Sequence, residues 1–234
     1  MYKRQQKRFI ADAAHQLKTP LAGLRMQAEL AQRENSPEEL QRSLEQIADS
    51  STRATRLVQQ LLSLARMENT NKLSEKILID LSQAAADATK TWLSAAWEKN
   101  IDLGYESNQQ TYKMYGNPVM LKELFNNLLD NAIKYTPPNG TVTVDVRHAN
   151  QPGLLIVEVK DTGPGIPPEE RQRVLERFYR VLGSDIEGSG LGLAIVKEIA
   201  TQHGGKLEIL ENIYQESPLK YGTCMRVYLP VGTP

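Results

Sequence analysis

His15 stands in the stretch Ala14-His15-Gln16-Leu17-Lys18-Thr19-Pro20, inside the first helical pattern of the chain. Ala14 and Leu17 take apolar seam positions, which puts His15 one residue off the seam, toward solvent. Pro20 has no N–H to give the carbonyl of Gln16, so the helix should bend or loosen beside the imidazole. Thr19, four residues on, brings a hydroxyl to the same face. A neutral imidazole is nucleophilic near pH 7. Alone, an exposed helical histidine is usually a solvated bystander.

Three further constellations lie far along the chain. Asn127, Asn131 and Lys134 fall at i, i+4 and i+7 in a helical pattern whose apolar residues are Leu121, Leu124, Leu128, Leu129 and Ile133. Amide oxygens are hard ligands suited to Mg²⁺, and lysine meets phosphate; a solvated polar face is the alternative. Asp161-Thr162-Gly163-Pro164-Gly165 ends a strand pattern. Its glycines let backbone approach a ligand, and Asp161 could accept a hydrogen bond from an adenine amino group; a tight turn without a ligand is the alternative. Gly188-Ser189-Gly190-Leu191-Gly192-Leu193 opens a helix, where outward N–H groups and the dipole favour an anion. It follows no strand and lacks Rossmann spacing, and no Walker A sequence occurs, so a phosphate-binding lid is the better reading. Taken with His15, the set suggests a histidine that receives a phosphoryl group from ATP.

These groups need elements to hold them. Residues 1–33 carry apolar residues at Ile10, Ala14, Leu17, Leu21, Leu24, Ala28 and Ala31, a heptad seam. Ser36 as N-cap, Pro37 at N1 and Glu39 at N3 restart a helix, with a second seam at Leu40, Leu44, Ile47, Ser51, Ala54, Val58, Leu61 and Ala65. Two such helices form an antiparallel hairpin with too little apolar surface to stand alone, so two copies should pair as a four-helix bundle, a homodimer. A coiled coil without chemistry is the plain alternative. Residues 69–76 read as a linker. From there to residue 234, strand patterns at 76–81, 101–105, 113–115, 141–148, 154–160, 206–211 and 221–229 alternate with helical ones at 82–98, 117–135 and 191–203. The expected fold is therefore an all-α helical-hairpin dimerisation domain over 1–68 and an α+β sandwich over 77–234, its helices on one face of a mixed sheet.

Composition sets bounds. The 234 residues are 40% hydrophobic and 24% charged with zero net charge, ordinary for a soluble globular protein and without the basic excess of a nucleic-acid binder. No apolar run is long enough to span a bilayer, and no signal peptide opens the chain. The single cysteine, Cys224, excludes an internal disulfide and suits a reducing compartment. Lys3, Arg4, Lys7 and Arg8 cluster at the start, as a solvated helix end or as a segment near an anionic membrane surface.

The set resembles the catalytic core of a two-component sensor histidine kinase over nearly the whole chain. His15–Pro20 is similar to the phosphoacceptor box, Asn127–Tyr135 to the N box, Asp161–Gly165 to the first glycine box, Arg177–Arg180 to the F box and Gly188–Leu193 to the second glycine box. Gly222-Thr223 resembles the closing element beside adenine. The resemblance implies a sandwich of the gyrase, Hsp90 and histidine kinase type. It implies Mg²⁺ on Asn127, and phosphate or nucleoside contacts from Asn131, Lys134 and Tyr135. Asp161 would read adenine, with Gly163, Gly165, Gly188, Gly190, Gly192, Leu193 and Thr223 around the nucleotide. Arg180 would reach the γ-phosphate. The partner would be the receiver domain of a response regulator, whose dephosphorylation Thr19 would assist. The chain would be the cytoplasmic portion of an inner-membrane sensor, touching the membrane only through an upstream sensor region.

One departure stands out. The family places Glu or Asp after the phosphoacceptor histidine, and here that residue is Gln16, which orients the ring but cannot take its proton. The His-Gln-Leu box looks like that of a tricarboxylate-responsive branch. Asp12, three residues earlier on the same face, is a candidate substitute base. Two rivals remain: an ATPase clamp of the gyrase or Hsp90 kind, with Glu123 activating water, and an inactive dimeric scaffold.

Overall fold

A computed structural model describes residues 2–34, 36–69, 76–106, 110–181, 188–213 and 221–232, which divide into two compact units, Met1–Glu68 and Asn69–Pro234. Residues 70–75 of the expected linker lie outside the described residues.

The first unit holds α1 (Tyr2–Ala31) and α2 (Pro37–Asn69). α1 runs unbroken through Pro20. α2 starts as its sequence dictates: the Glu39 N–H donates to Ser36 Oγ at 3.4 Å, and Glu38 and Glu39 lie at the positive end of the helix dipole. Ser50 Oγ donates to Gln27 Oε1 at 3.0 Å, which ties the two helices antiparallel. That bond marks the side of α2 that meets α1, and Leu57, Leu61 and Leu64 continue it as buried residues. The expected seam is buried only in part: Leu61 lies inside the hairpin, and Ile47, Ala54 and Ala65 are half-buried. Ser51 and Val58 are exposed while Ser50 and Leu57 are buried, and Ala14 and Leu21 on α1 are exposed. A hairpin buries only the stripe facing its own partner helix, so apolar residues one position round remain outside. Leu21, Leu44 and Leu62, at 56%, 50% and 51% exposure, are among the apolar residues left exposed.

The second unit is an α+β sandwich. A five-stranded sheet has the order β2-β4-β5-β7-β6, from β2 (Asp102–Glu106), β4 (Thr141–His148), β5 (Leu154–Asp161), β6 (Lys206–Ile213) and β7 (Tyr221–Pro230). β2 runs parallel to β4, and the other neighbours are antiparallel. A separate antiparallel pair joins β1 (Ile77–Asp80) to β3 (Lys113–Gly116). α3 (Leu81–Glu98) packs on β2 and β4, α4 (Pro118–Tyr135) on β5, and α5 (Gly192–Gln202) on β6 and β7.

β4 alternates buried and half-buried residues, as a strand covered on one face does, while the central β5 is buried on both faces. Val142, Val144, Leu155, Val157, Met225 and Val227 are buried with Leu124, Phe125, Leu128, Ile195 and Ile199 of the helices. The other face carries charge. Glu158 of β5, 2% exposed, accepts from Arg226 Nε at 2.5 Å and Arg147 Nη2 at 2.8 Å, and pairs with Lys160 Nζ at 3.3 Å. These cations hold its carboxyl below the usual glutamate range against the cost of burial. Among the described residues, no helix is long and apolar enough to cross a membrane.

Candidate functional site

α4 begins at Asn117, whose Oδ1 accepts the Met120 N–H at 2.9 Å, with Pro118 in the first turn. Its apolar face, Leu121, Leu124, Phe125, Leu128 and Ile133, enters the core, so helical periodicity leaves Asn127, Asn131 and Lys134 along one side. Asn127 is 7% exposed. Its Nδ2 donates to the Glu123 carbonyl at 2.9 Å, which turns Oδ1 toward Gly192, 3.2 Å from where a Cβ there would stand. Lys134 Nζ lies directly beneath Gly188. Asn131 and Tyr135 are half-buried.

Asp161 ends β5 and is 3% exposed. Its Oδ1 accepts the N–H groups of Gly163 at 2.9 Å and Thr223 at 3.2 Å, and its main-chain carbonyl accepts from Asn212 Nδ2 at 2.8 Å. Burial pushes the carboxyl up to about 6, and the two backbone donors together with the Thr223 hydroxyl only partly oppose it. Gly222 has to be glycine, since a Cβ would run into the Asp161 carbonyl. Gly163 packs against the Tyr135 carbonyl, which brings the first glycine loop to the end of α4.

The second glycine loop is held from the other side. The Phe178 N–H donates to the Gly190 carbonyl at 2.9 Å. Phe178 has φ +63° and Gly190 φ +68°; a Cβ on Gly190 would stand 2.6 Å from the Phe178 carbonyl carbon. A left-handed phenylalanine is strained, and this contact with the loop holds it there. Tyr179 is fixed by donating to Glu170 Oε2 at 2.5 Å, with the Arg173 guanidinium 4.4 Å over its ring. Arg180, next in the chain, is half-buried. Leu191 is fully buried and Leu193 nearly so, which anchors the start of α5, while Gly165 (φ +76°) closes the first loop.

Asn127, Lys134, Tyr135, Asp161, Gly163, Gly188, Gly190, Gly192 and Thr223 therefore come together through α4, the end of β5, the start of α5 and β7. His15, Gln16 and Thr19 belong to the other unit; His15 and Thr19 are exposed and Gln16 is half-buried. Sequence reasoning missed Asn212 and Thr162. Asn212 pairs with Gly222 across β6 and β7, a relation visible only in strand register. Thr162 Oγ1 accepts the Thr141 N–H at 2.8 Å and so secures the turn after Asp161.

Such a sandwich, with an amide-bearing helix, two glycine loops and a buried strand-end aspartate, defines a class: residues 116–233 match the family described as "Histidine kinase-, DNA gyrase B-, and HSP90-like ATPase". Residues 5–70 match "His Kinase A (phospho-acceptor) domain". The sensor protein QseC of Salmonella typhi is 41% identical over 85% of this chain and 43% of that protein. The signal transduction histidine-protein kinase/phosphatase MprB of Mycolicibacterium paratuberculosis is 36% identical over 96% of this chain and 43% of its own. The histidine kinase ThkA, solved in complex with response regulator protein TrrA, superposes with a TM-score of 0.75 over 99% of this chain and 67% of that one, a likeness of fold at 20% identity. The chain belongs to the sensor histidine kinases. It spans less than half the length of the two curated relatives just named.

Proposed function

We propose that the second unit binds ATP and that the γ-phosphoryl group passes to the His15 imidazole, then to an aspartate on the receiver domain of a response regulator. One observation carries this reading: the amide helix and both glycine loops converge in a chain whose first unit matches a phospho-acceptor domain and exposes His15. In the first step an imidazole nitrogen forms a bond to phosphorus, the bond from phosphorus to the β,γ-bridging oxygen breaks, and ADP leaves with that electron pair. Phosphoryl transfer asks the protein mainly for positioning and charge neutralisation. Lys134 beneath the second glycine loop and Arg180 beyond Tyr179 supply positive charge. The buried Asp161 presents its carboxylate to the adenine amino group. Gln16 orients the imidazole, and Asp12, exposed one turn earlier, takes its proton.

The Asn127 amide fits a Mg²⁺ ion, because its nitrogen is engaged by Glu123 and its oxygen points at the loop that would hold phosphates. When bound, the ion would neutralise charge on the phosphates. The apolar residues left outside the hairpin, Leu21, Leu44 and Leu62, support a homodimer built as a four-helix bundle. The exposed Thr19 hydroxyl beside His15 supports removal of phosphate from the regulator, in keeping with the kinase/phosphatase name that MprB carries. Coverage of under half of two sensor kinases supports a place as the cytoplasmic core of a longer membrane-bound sensor.

The test is incubation with γ-labelled ATP. The parent should gain acid-labile, base-stable label and His15→Ala none. Label on the variant at the parent level overturns the assignment, and ATP turnover without protein-bound label would favour a clamp-type ATPase.

A further inference from the structure

α4 carries the amides and the lysine of the nucleotide site, so its position along its own axis sets where they stand. Both of its ends are held by side chains from other helices. At the far end, Lys99, the C-cap of α3, donates through Nζ to the carbonyls of Lys134 at 2.7 Å, Ile133 at 2.9 Å and Thr136 at 3.0 Å. These are among the carbonyls that a helix end leaves without intrahelical donors, and an ammonium there also complements the negative end of the dipole. One of them belongs to Lys134 itself, and Tyr135 lies between the other two.

At the near end, His203, the C-cap of α5, is 6% exposed. Its Nε2 accepts the Asn117 N–H at 3.1 Å, and its Nδ1 meets the Ile199 carbonyl at 2.8 Å. An N–H only donates and a carbonyl only accepts, so together these bonds require the neutral ring with its hydrogen on Nδ1. The ring reaches α4 because residue 116 is glycine: a Cβ there would stand 3.2 Å from Nε2. Asn117 is the N-cap of α4, so His203 ties the end of α5 to the start of α4. The other end of α5 opens at Gly192, against Asn127. The two helices run antiparallel, and the tie lies about 15 Å from the Asn127 amide, ten residues at 1.5 Å each.

We propose that Lys99 and His203 are positioning residues that clamp α4 at its two ends, fixing its amide and lysine face against the second glycine loop and thereby setting affinity for the nucleotide's phosphates. This rests on the nucleotide reading above. His203 meets only the start of α4 and Lys99 only main-chain carbonyls at its end, so each acts through the placement of α4.

The test compares ATP affinity, measured by calorimetry with Mg²⁺ present, in the parent and in Lys99→Met, Lys99→Arg, His203→Leu, His203→Gln and Glu158→Gln. Lys99→Met and His203→Leu should each bind ATP about tenfold more weakly. Their autophosphorylation rates at saturating ATP should change far less than their KM. Lys99→Arg keeps the charge and His203→Gln keeps an acceptor, so both should recover most of the affinity. Glu158→Gln breaks the charge cluster on the opposite sheet face; it should lower stability yet leave ATP affinity at the parent value. Parent-like affinity in Lys99→Met and His203→Leu overturns the clamp, as does weakening that follows stability loss in every variant. Should the α4-end variants fail to fold, nitrogen-15 spectra of the parent decide: a His203 ring protonated on Nε2 at neutral pH overturns the tie. A parent that binds no ATP would instead overturn the nucleotide reading and the clamp with it.

Discussion

Replacing Asp161 with asparagine should make the protein more stable while weakening its hold on ATP. The carboxyl is 3% exposed and pushed up to about 6 by burial, whereas an unfolded aspartate titrates near ~3.9. About two decades in proton affinity separate the two states, and each decade is worth about 1.4 kcal/mol, so the ionised side chain costs the fold about 3 kcal/mol at neutral pH. Asparagine keeps an oxygen for the Gly163 and Thr223 N–H groups and removes the charge. The sign follows from proton uptake. A carboxyl whose proton affinity rises on folding takes up protons as the chain folds. Parent stability therefore increases as pH falls from about 6 toward 4. Urea unfolding should show Asp161→Asn ahead by about 3 kcal/mol at pH 7.5 and by less than about 1 kcal/mol at pH 4.5. The amide nitrogen would at the same time face the adenine amino group as a second donor, so ATP affinity should drop about tenfold to a hundredfold. A variant no more stable than the parent at pH 7.5, or equally ahead at both pH values, would refute the desolvation account. Unchanged ATP affinity would refute adenine recognition by this residue.

Gln16→Glu supplies a base beside His15 and should speed autophosphorylation by at least about tenfold; stopped-flow or quenched labelling at saturating ATP showing no change would mean proton removal does not limit the step. Asp12→Asn should slow the same reaction and move its pH profile, and an unaltered profile removes Asp12 as the base. Glu158→Gln should cost about 2 kcal/mol of unfolding free energy at neutral pH, less than a fully buried pair because the three cations reach solvent. Its carboxyl titrates below the usual range in the fold, so the parent should lose this contribution as pH falls through the folded value and converge with the variant in acid. Leu62→Glu places a charge on the apolar surface left outside the hairpin and should shift the protein toward monomer in analytical ultracentrifugation; an unchanged sedimentation coefficient would place the dimer contact elsewhere.

Much of this molecule is legible in local pattern. Ser36-Pro37 and Asn117-Pro118 start helices because a side-chain cap and a fixed φ act within a few residues. Valines alternate in β4 because a sheet covered on one face requires it. The amides of α4 share a side because 3.6-residue periodicity places them so. The heptad pattern is met only in part. Ser51, Val58 and Leu21 have seam spacing, yet Ser50 and Leu57 take the buried side, since periodicity identifies an apolar stripe without saying which edge of it meets the partner helix.

The nucleotide site divides the same way. By itself, the sequence determined the chemistry on offer: an exposed histidine, amide oxygens, a strand-end carboxylate and glycines where backbone must come close. Each follows from residue type and near-neighbour spacing. Only the tertiary structure decided that Asp161 is desolvated enough to titrate near 6, that Asn127 turns its oxygen toward Gly192, and that Lys99 and His203 grip the two ends of α4. Those properties depend on groups tens of residues apart, brought together by strand register and helix packing. Desolvation and hydrogen-bond direction are set by what surrounds an atom in space, and position along the chain does not encode that directly.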